Sequence, residues 1–256
     1  MDIQILGAHN CESHQLRLTS LLIDGVLAID AGSLTSNLSF EAQQKLKAVL
    51  LTHQHYDHIR DIPTIGMNFF LARKTINIYA LQSVYDTIAT HLLNGELYPK
   101  FLEKPTEKPT INFTIIEPGQ NMAATSYNIL AVPVKHGVPT VGYQVTSPEG
   151  KAIFFTGDSG PGLTDCWNLI SPQLLIVEVT ASDKFKEAAG NGGHLTPTLL
   201  KQELIAFREL KGYLPPVVTV HMSPGLETEI EAEIAAVAAE LKTPITLAYE
   251  GMLIHL

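Results

Sequence analysis

The chain has 256 residues, of which 45% are hydrophobic and 17% charged, and its formal net charge is −9. This composition excludes a disordered chain, which would have fewer apolar residues and more charge. The acidic balance argues against binding of long nucleic acids, because that function needs a basic surface to neutralise phosphates. The two cysteines, Cys11 and Cys166, exclude both a disulfide framework and a four-cysteine zinc site.

The N-terminal residues lack the basic start and apolar core of a secretory signal. No apolar run approaches the ~20 residues that a membrane span needs. We therefore expect a cytoplasmic protein without a membrane partner. At this length one large domain or two smaller ones are compatible with a buried core. Because no stretch resembles a flexible linker, we expect one domain over residues 1–256.

The first half of the chain opens with antiparallel strands. Short apolar runs flank Asp24 and Gly25, a pair that is typical of a two-residue hairpin turn. The elements predicted next are a polar helix over 40–47, a buried strand over 48–52, a helix over 81–92 and a surface excursion over 97–109.

The second half repeats the order of strands followed by helices. Thr196 and Pro197 are typical of a helix start, with Thr196 as the cap. A last helix has apolar residues on one face between Ile230 and Leu241. Strands are predicted over 111–116, 127–134, 141–146, 152–155, 174–179, 217–220, 245–248 and 252–254. The order indicates two similar halves rather than one continuous βαβ winding.

A dense run of metal-ligand side chains follows the predicted strand over 48–52. The segment His53–His58 contains three imidazoles and one carboxylate. Such crowding costs stability at mildly acidic pH unless a cation is bound, so the segment favours a metal site over a polar loop. Just past a strand end, His53 and His55 can face one way and Asp57 and His58 another, which suits two ions that prefer nitrogen and oxygen ligands.

Three more ligand-type side chains each follow a short apolar strand. His136 comes after the strand over 127–134, Asp158 after the strand over 152–155, and His221 after the strand over 217–220. Strand ends of this kind converge on one edge of a sheet. Each residue alone could be an ordinary buried polar group, but together with His53–His58 they complete two coordination spheres.

The order of these motifs resembles the metallo-β-lactamase superfamily of metallohydrolases. The matching motifs are Ile29-Asp30-Ala31-Gly32, the segment His53–His58, His136, Gly157-Asp158 and His221. The resemblance implies an α+β fold, the four-layer αββα sandwich. It also implies that one metal ion is held by His53, His55 and His136, that the other is held by Asp57, His58 and His221, and that Asp158 bridges them.

A second resemblance indicates which branch of the superfamily the chain is most similar to. The stretches Leu174–Thr180 and Gly192–Thr196 look like those of phosphodiesterase-type members, which include tRNase Z and class II cyclic-nucleotide phosphodiesterases. In that group a Glu at the end of such a strand supports a His that reaches the scissile phosphate, and Glu178 and His194 occupy those places. The catalytic residues implied for this chain are Asp57, Glu178 and His194.

The sequence also departs from both relatives. A tRNase Z would have His at the position of Val177 and a long basic arm for tRNA, and class II phosphodiesterases usually have Leu and Gly at the positions of Tyr56 and Asp61. These departures leave the substrate open while the metal site remains complete.

The resulting expectation is a binuclear hydrolase in which a metal-bridging hydroxide attacks a small or cyclic nucleotide-like phosphodiester. Two divalent ions per chain are expected, with zinc favoured over manganese or iron. The expected partner is a small-molecule ester, and a homodimer is left open. Two alternatives remain: a carbon-centred hydrolase, such as a lactonase or thioesterase, on the same ions, and a metal-binding sensor without catalysis.

The segment 9–14 also contains imidazole, thiol and carboxylate groups. Its single thiol has no partner ligands elsewhere in the sequence, so a loop is favoured over a third metal site.

Overall fold

The computed structural model describes residues 1–256, which divide into two units. Unit 1 comprises residues 1–7, 17–117 and 250–256, and unit 2 comprises residues 8–16 and 118–249. Each unit contains one seven-stranded sheet and helices of its own. None of the helices combines the length and the apolar composition that a membrane span requires.

The sheet of unit 1 has the strand order β14-β1-β2-β3-β4-β5-β6, with strands numbered along the whole chain. Its strands are β1 (Asp2–Gly7), β2 (Ser20–Ile23), β3 (Leu27–Ile29), β4 (Ala48–Leu50), β5 (Ile76–Ala80), β6 (Ile111–Ile115) and β14 (Leu253–His255). Its helices are α1 (Leu34–Asn37), α2 (Phe40–Gln43), α3 (Tyr56–Ile59), α4 (Ile62–Leu71) and α5 (Gln82–Thr87), and a π-helical turn (Ile88–Leu92) follows α5.

The predicted hairpin between β2 and β3 is confirmed. Asp24 and Gly25 have positive φ angles of 47° and 69°, and the Val26 N–H donates to the Ile23 carbonyl over 3.0 Å. Two adjacent positive φ angles are the signature of a type I′ turn, whose twist matches that of the strands it joins. The first paired residues are Ile23 and Leu27, so the loop between the paired positions contains Val26 in addition to the predicted pair Asp24 and Gly25.

Strands β3, β4, β5 and β6 run parallel, whereas β14, β1, β2 and β3 pair antiparallel. The carboxyl ends of β3 and β4 therefore lie side by side at one edge of the sheet. At that edge, a residue that follows β3 lies close to the residues that follow β4.

The sheet of unit 2 has the strand order β13-β12-β11-β10-β9-β8-β7. Its strands are β7 (Asn121–Ala124), β8 (Tyr127–Val134), β9 (Thr140–Thr146), β10 (Ala152–Phe155), β11 (Leu174–Glu178), β12 (Val217–Val220) and β13 (Ile245–Leu247). Its helices are α6 (Thr164–Leu169), α7 (Lys186–Gly192), α8 (Pro197–Lys211) and α9 (Glu227–Leu241), and a 3₁₀ turn (Asp183–Phe185) precedes α7.

Strand directions in unit 2 bring the carboxyl ends of β8, β10, β11, β12 and β13 to one edge. Strands β10, β11, β12 and β13 are parallel, while β8 and β10 are both antiparallel to β9. Consequently β8, β10, β11, β12 and β13 all end at the same edge. The core next to this sheet includes Trp167, whose ring centroid lies 6.1 Å from that of Phe154 and 5.4 Å from that of Phe207.

Several elements differ from the sequence predictions. The helix predicted over 40–47 ends at Gln43, and α3, α4, β5, β7, α6 and α7 are not predicted at all. Thr196 is the N-cap residue of α8 and Pro197 is its first residue, as predicted, but the Thr196 side chain makes no capping hydrogen bond. Asp183 provides this bond instead, because its Oδ1 accepts the Thr198 N–H over 2.9 Å.

Candidate functional site

The residues His53, His55, Asp57 and His58, here called the N-terminal cluster, lie just beyond the carboxyl end of β4 and enter α3. The ring centroid of His53 lies 4.7 Å from that of His55 and 4.2 Å from that of His58. Nε2 of His58 is 3.3 Å from Oδ2 of Asp57. Unit 1 therefore brings all four of its predicted ligands together.

Asp30 directly follows the neighbouring strand β3 and forms hydrogen bonds with Thr52 and with His58 of this cluster. The carboxylate accepts the Thr52 N–H over 2.8 Å and the Thr52 hydroxyl over 3.0 Å, and its Oδ2 lies 2.7 Å from His58 Nδ1. Both side chains of the Asp30–His58 pair are fully buried. Burial raises the pKa of Asp30, while the charge of His58 and the bonds from His58 and Thr52 act in the opposite direction. Sequence motifs include Asp30 but do not indicate this role.

Replacing Asp30 by Asn is expected to lower the affinity for divalent metal by about 10- to 100-fold, because His58 loses the carboxylate that orients its ring. The measurement is a titration of metal-stripped protein with Zn²⁺. Asp86→Asn is the control, since Asp86 is an exposed carboxylate in α5 of the same unit. Equal affinity in the two variants would show that Asp30 does not support a metal ligand.

Five residues of unit 2, here called the C-terminal cluster, lie at or near the edge where its strands end. His136, Asp158 and His221 follow β8, β10 and β12, Glu178 is the last residue of β11, and His194 precedes α8. Oδ1 of Asp158 is 3.3 Å from His221 Nε2, and its Oδ2 is 3.9 Å from His136 Nε2. One carboxylate thus lies next to two imidazoles that come from different strands.

Glu178 is fully buried and accepts three hydrogen bonds. Its Oε1 accepts from His194 Nδ1 over 2.8 Å and from the Ser159 N–H over 3.2 Å, and its Oε2 accepts from the Thr180 hydroxyl over 2.8 Å. The two carboxyl oxygens together have enough lone pairs to accept all three bonds. The bond to Glu178 requires a proton on Nδ1 of His194, so Nε2 is the ring nitrogen that points away from Glu178.

Thr180 connects this pair to His221. Because the Thr180 hydroxyl donates to Glu178, its oxygen acts as the acceptor for His221 Nδ1 at 2.9 Å. His221 has a positive φ of 67°, a conformation that is strained for a residue with a side chain and is concentrated at functional sites. The rings of His194 and His221 are stacked, with centroids 5.5 Å apart. The sequence contains no signal that identifies Thr180 as a link between two histidines.

Gly193, the second residue of the glycine pair before His194, lies where only a glycine fits. Its φ is +79°, and a Cβ atom at this position would lie 3.0 Å from the Cα of His136. The close approach lets the Gly193 carbonyl accept a hydrogen bond from His136 Nδ1 over 3.0 Å. A side chain at Gly193 would therefore displace a predicted ligand.

The donor set fits divalent metal ions. In four of the predicted histidine ligands Nδ1 lies within 3.0 Å of a protein oxygen: that of Thr52, Asp30, Gly193 or Thr180. In three of these residues, His58, His136 and His221, Nε2 is the ring nitrogen that lies near the carboxylate of Asp57 or Asp158. Metal-binding histidines usually donate their other ring N–H to such an oxygen. Imidazole and carboxylate ligands suit zinc, manganese and iron.

The segment 9–14 contributes no residue to the groups of potential ligands that converge in the structure. His9 is buried, pairs with Met222 through a backbone bridge and has its Nε2 3.5 Å from Glu227 Oε1. Cys11 is exposed.

Known proteins match this chain at the level of both sequence and fold. The profile of the family described as "Beta-lactamase superfamily domain" matches residues 19–245. The chain is 35% identical over 97 residues to a 3′,5′-cyclic-nucleotide phosphodiesterase of Schizosaccharomyces pombe and 32% identical over 101 residues to a ribonuclease Z of Methanocaldococcus jannaschii. These matches cover 38% and 39% of this chain but only 27% and 30% of the relatives.

Two solved structures share the fold over their full length. Unliganded yeast PDE1 superimposes with a TM-score of 0.86 at 17% identity, covering 100% of this chain and 99% of that chain. The short form of human tRNase Z gives 0.69 at 19% identity, with coverage of 100% and 99%. Identities this low establish the fold alone. The fold class predicted from the sequence is confirmed, and the chain belongs to the metallo-β-lactamase superfamily of hydrolases.

Proposed function

We propose that this protein is a metal-dependent hydrolase that cleaves a small phosphodiester, such as a cyclic nucleotide. Membership of the superfamily supports hydrolysis, and the relatives named phosphodiesterase and ribonuclease Z both act on phosphodiesters. The single observation that favours a phosphodiester is the buried Glu178 bound to His194, because this pair presents a proton donor next to His136 and His221.

The proposed metal ligands are His53, His55, Asp57, His58, His136, Asp158 and His221, which together would hold two divalent ions, with zinc as the first choice. The orientation of the Nε2 atoms supports this assignment. When bound, such ions stabilise negative charge on a phosphoryl oxygen as Lewis acids and make water a nucleophile at neutral pH.

The protein residues then have three tasks. Asp57, whose side chain is about a quarter exposed, accepts a hydrogen bond from the attacking water and orients it in addition to its metal contact. In its imidazolium form, with protons on both ring nitrogens, His194 donates the Nε2 proton to the leaving oxygen as the bond to phosphorus breaks and keeps the Nδ1 proton bonded to Glu178. Glu178 holds the His194 ring in the orientation that this transfer requires, and its carboxylate stabilises the charge of the imidazolium.

The proposed substrate is small because the chain is acidic overall. A net charge of −9 repels a long polyanion, whereas a metal centre attracts one phosphate locally. Yet relatives named ribonuclease Z exist, so a tRNA precursor belongs in the test.

Turnover should be measured after metal analysis, with zinc- or manganese-loaded protein and five substrates: bis(p-nitrophenyl) phosphate, a 3′,5′-cyclic nucleotide, a tRNA precursor, a lactone and a thioester. We expect hydrolysis of the first two and its loss on metal removal with a chelator. Hydrolysis of only the lactone or thioester would replace the proposal with carbon-centred chemistry. Metal-loaded protein that turns over none of the five would favour a sensor.

A further inference from the structure

Asp158 lies in a glycine-rich loop between β10 and α6. Gly157, Gly160 and Gly162 belong to this loop, and Gly157 and Gly162 have positive φ angles of 61° and 104°. Glycine has more accessible backbone conformations than any other residue. The loop therefore needs bonds from outside itself to keep the Asp158 carboxylate in one place.

The backbone N–H groups that follow Asp158 all have acceptors elsewhere in unit 2. The Ser159 N–H donates to Glu178 Oε1 over 3.2 Å, and the Gly160 N–H donates to the Lys135 carbonyl over 2.7 Å. Pro161 has no N–H. The Gly162 and Leu163 N–H groups donate to the two carboxylate oxygens of Glu203 over 2.7 and 3.0 Å. The second half of the loop is thus held by one side chain.

Glu203 is an unusual residue for its position in helix α8. It is 8% exposed, on the face of α8 that also buries Leu200, Leu204 and Phe207. Burying a carboxylate is costly unless charge-assisted hydrogen bonds replace its water, and Glu203 obtains these bonds from the loop. A leucine would satisfy the helix face equally well, so packing alone does not account for a carboxylate here.

We propose that Glu203 is a positioning residue, which fixes the Asp158 carboxylate for metal binding by accepting the Gly162 and Leu163 N–H groups. The inference rests on the proposed role of Asp158 as a metal ligand and does not depend on the identity of the substrate.

The direct test compares Glu203→Gln with Glu209→Gln. Glutamine keeps the volume of Glu203 but has only one acceptor oxygen, so one of the two N–H groups loses its partner. Glu209 lies on the exposed side of the same helix and undergoes the same chemical change. In a titration of metal-stripped protein with Zn²⁺, we expect Glu203→Gln to bind about 10- to 100-fold more weakly than wild type, and Glu209→Gln to bind like wild type.

A second readout separates positioning from a general loss of stability. Turnover of Glu203→Gln should return toward the wild-type value as the Zn²⁺ concentration is raised, because more metal compensates for weaker binding but does not repair a damaged fold. Trp167 is the only tryptophan of the chain and is fully buried in α6, so its fluorescence reports whether the variant is folded. A folded Glu203→Gln protein with wild-type Zn²⁺ affinity would overturn the proposal.

Amide hydrogen exchange of the unaltered protein provides a test that survives if Glu203→Gln does not fold. The Gly162 and Leu163 amides should exchange slowly although Gly162 is exposed, because Glu203 holds both N–H groups. Rapid exchange of the two amides would show that Glu203 does not hold them and would overturn the proposal. Failure of the phosphodiesterase proposal is distinguishable, since it would remove turnover of phosphodiesters and leave the Zn²⁺ affinities and exchange rates as expected here.

Discussion

Asp158→Ala is expected to lower kcat for phosphodiester hydrolysis by at least about 10³-fold and to reduce bound metal below two ions per chain. The side chain is 3% exposed, and its two oxygens lie beside His221 Nε2 and His136 Nε2. Removing it leaves the two imidazoles without the carboxylate that both approach. Loss of the charge stabilisation that metal ions provide, several kcal/mol, corresponds to a rate decrease of this size.

The measurement is metal content by elemental analysis together with kcat for bis(p-nitrophenyl) phosphate. Asp165→Ala is the matched control, since Asp165 is an exposed aspartate in α6, shortly after the same loop. Normal turnover and two ions per chain in Asp158→Ala would refute the assignment of Asp158 as a metal ligand.

His194→Ala is expected to decrease kcat for a 3′,5′-cyclic nucleotide by about 10²- to 10⁴-fold while metal content stays unchanged. The reason is that Nδ1 of His194 is bound to Glu178, and the proposal assigns its Nε2 to the leaving oxygen rather than to a metal ion. A proton donor matters most when the leaving oxygen is strongly basic. Hydrolysis of bis(p-nitrophenyl) phosphate, which releases a weakly basic phenolate, should therefore decrease far less.

The pH dependence of kcat and the variant Glu178→Gln provide two further tests of the role of His194. The alkaline limb of the kcat–pH profile reports a group that must be protonated, and it should disappear in His194→Ala. Glu178→Gln should give a smaller loss, about 10- to 100-fold, because the ring remains but is oriented less well. His91→Ala, an exposed histidine of the π-helical turn, is the control. If His194→Ala slows both substrates equally and loses metal, His194 is a ligand instead.

The strands were the most predictable part of the fold. The bounds of β8, β10 and β12 agree with the predicted strands over 127–134, 152–155 and 217–220. For β10 and β12 a short apolar run bounded by turn residues is sufficient, because a strand buried on both faces is nearly continuously apolar. In β8 buried residues are interrupted by the exposed Asn128 and Pro133, and the alternation of apolar and polar positions at its start marks the strand instead.

Helix α4 shows where such reasoning fails. Its ten residues are apolar on most sides and include Pro63 and Gly66, so no polar stripe marks a helix. Gly66 has a tertiary reason: a Cβ atom there would lie 2.6 Å from Phe101, which is buried within the predicted surface excursion. Contacts between distant residues, rather than local spacing, decide this segment.

The sequence by itself determined which side chains are candidate metal ligands, because His53–His58 and the residues after β8, β10 and β12 are marked by their types and by their places at strand ends. The family comparison supports that prediction. What only the tertiary structure decided is the support of those ligands. Three residues provide this support: Asp30, which bonds to His58, Thr180, which contacts two imidazoles, and Glu203, which bonds to the loop of Asp158. Each lies 14 or more positions along the chain from at least one of its partners. A hydrogen bond depends on distance and direction in space, and these follow from packing, which no local pattern of residues encodes.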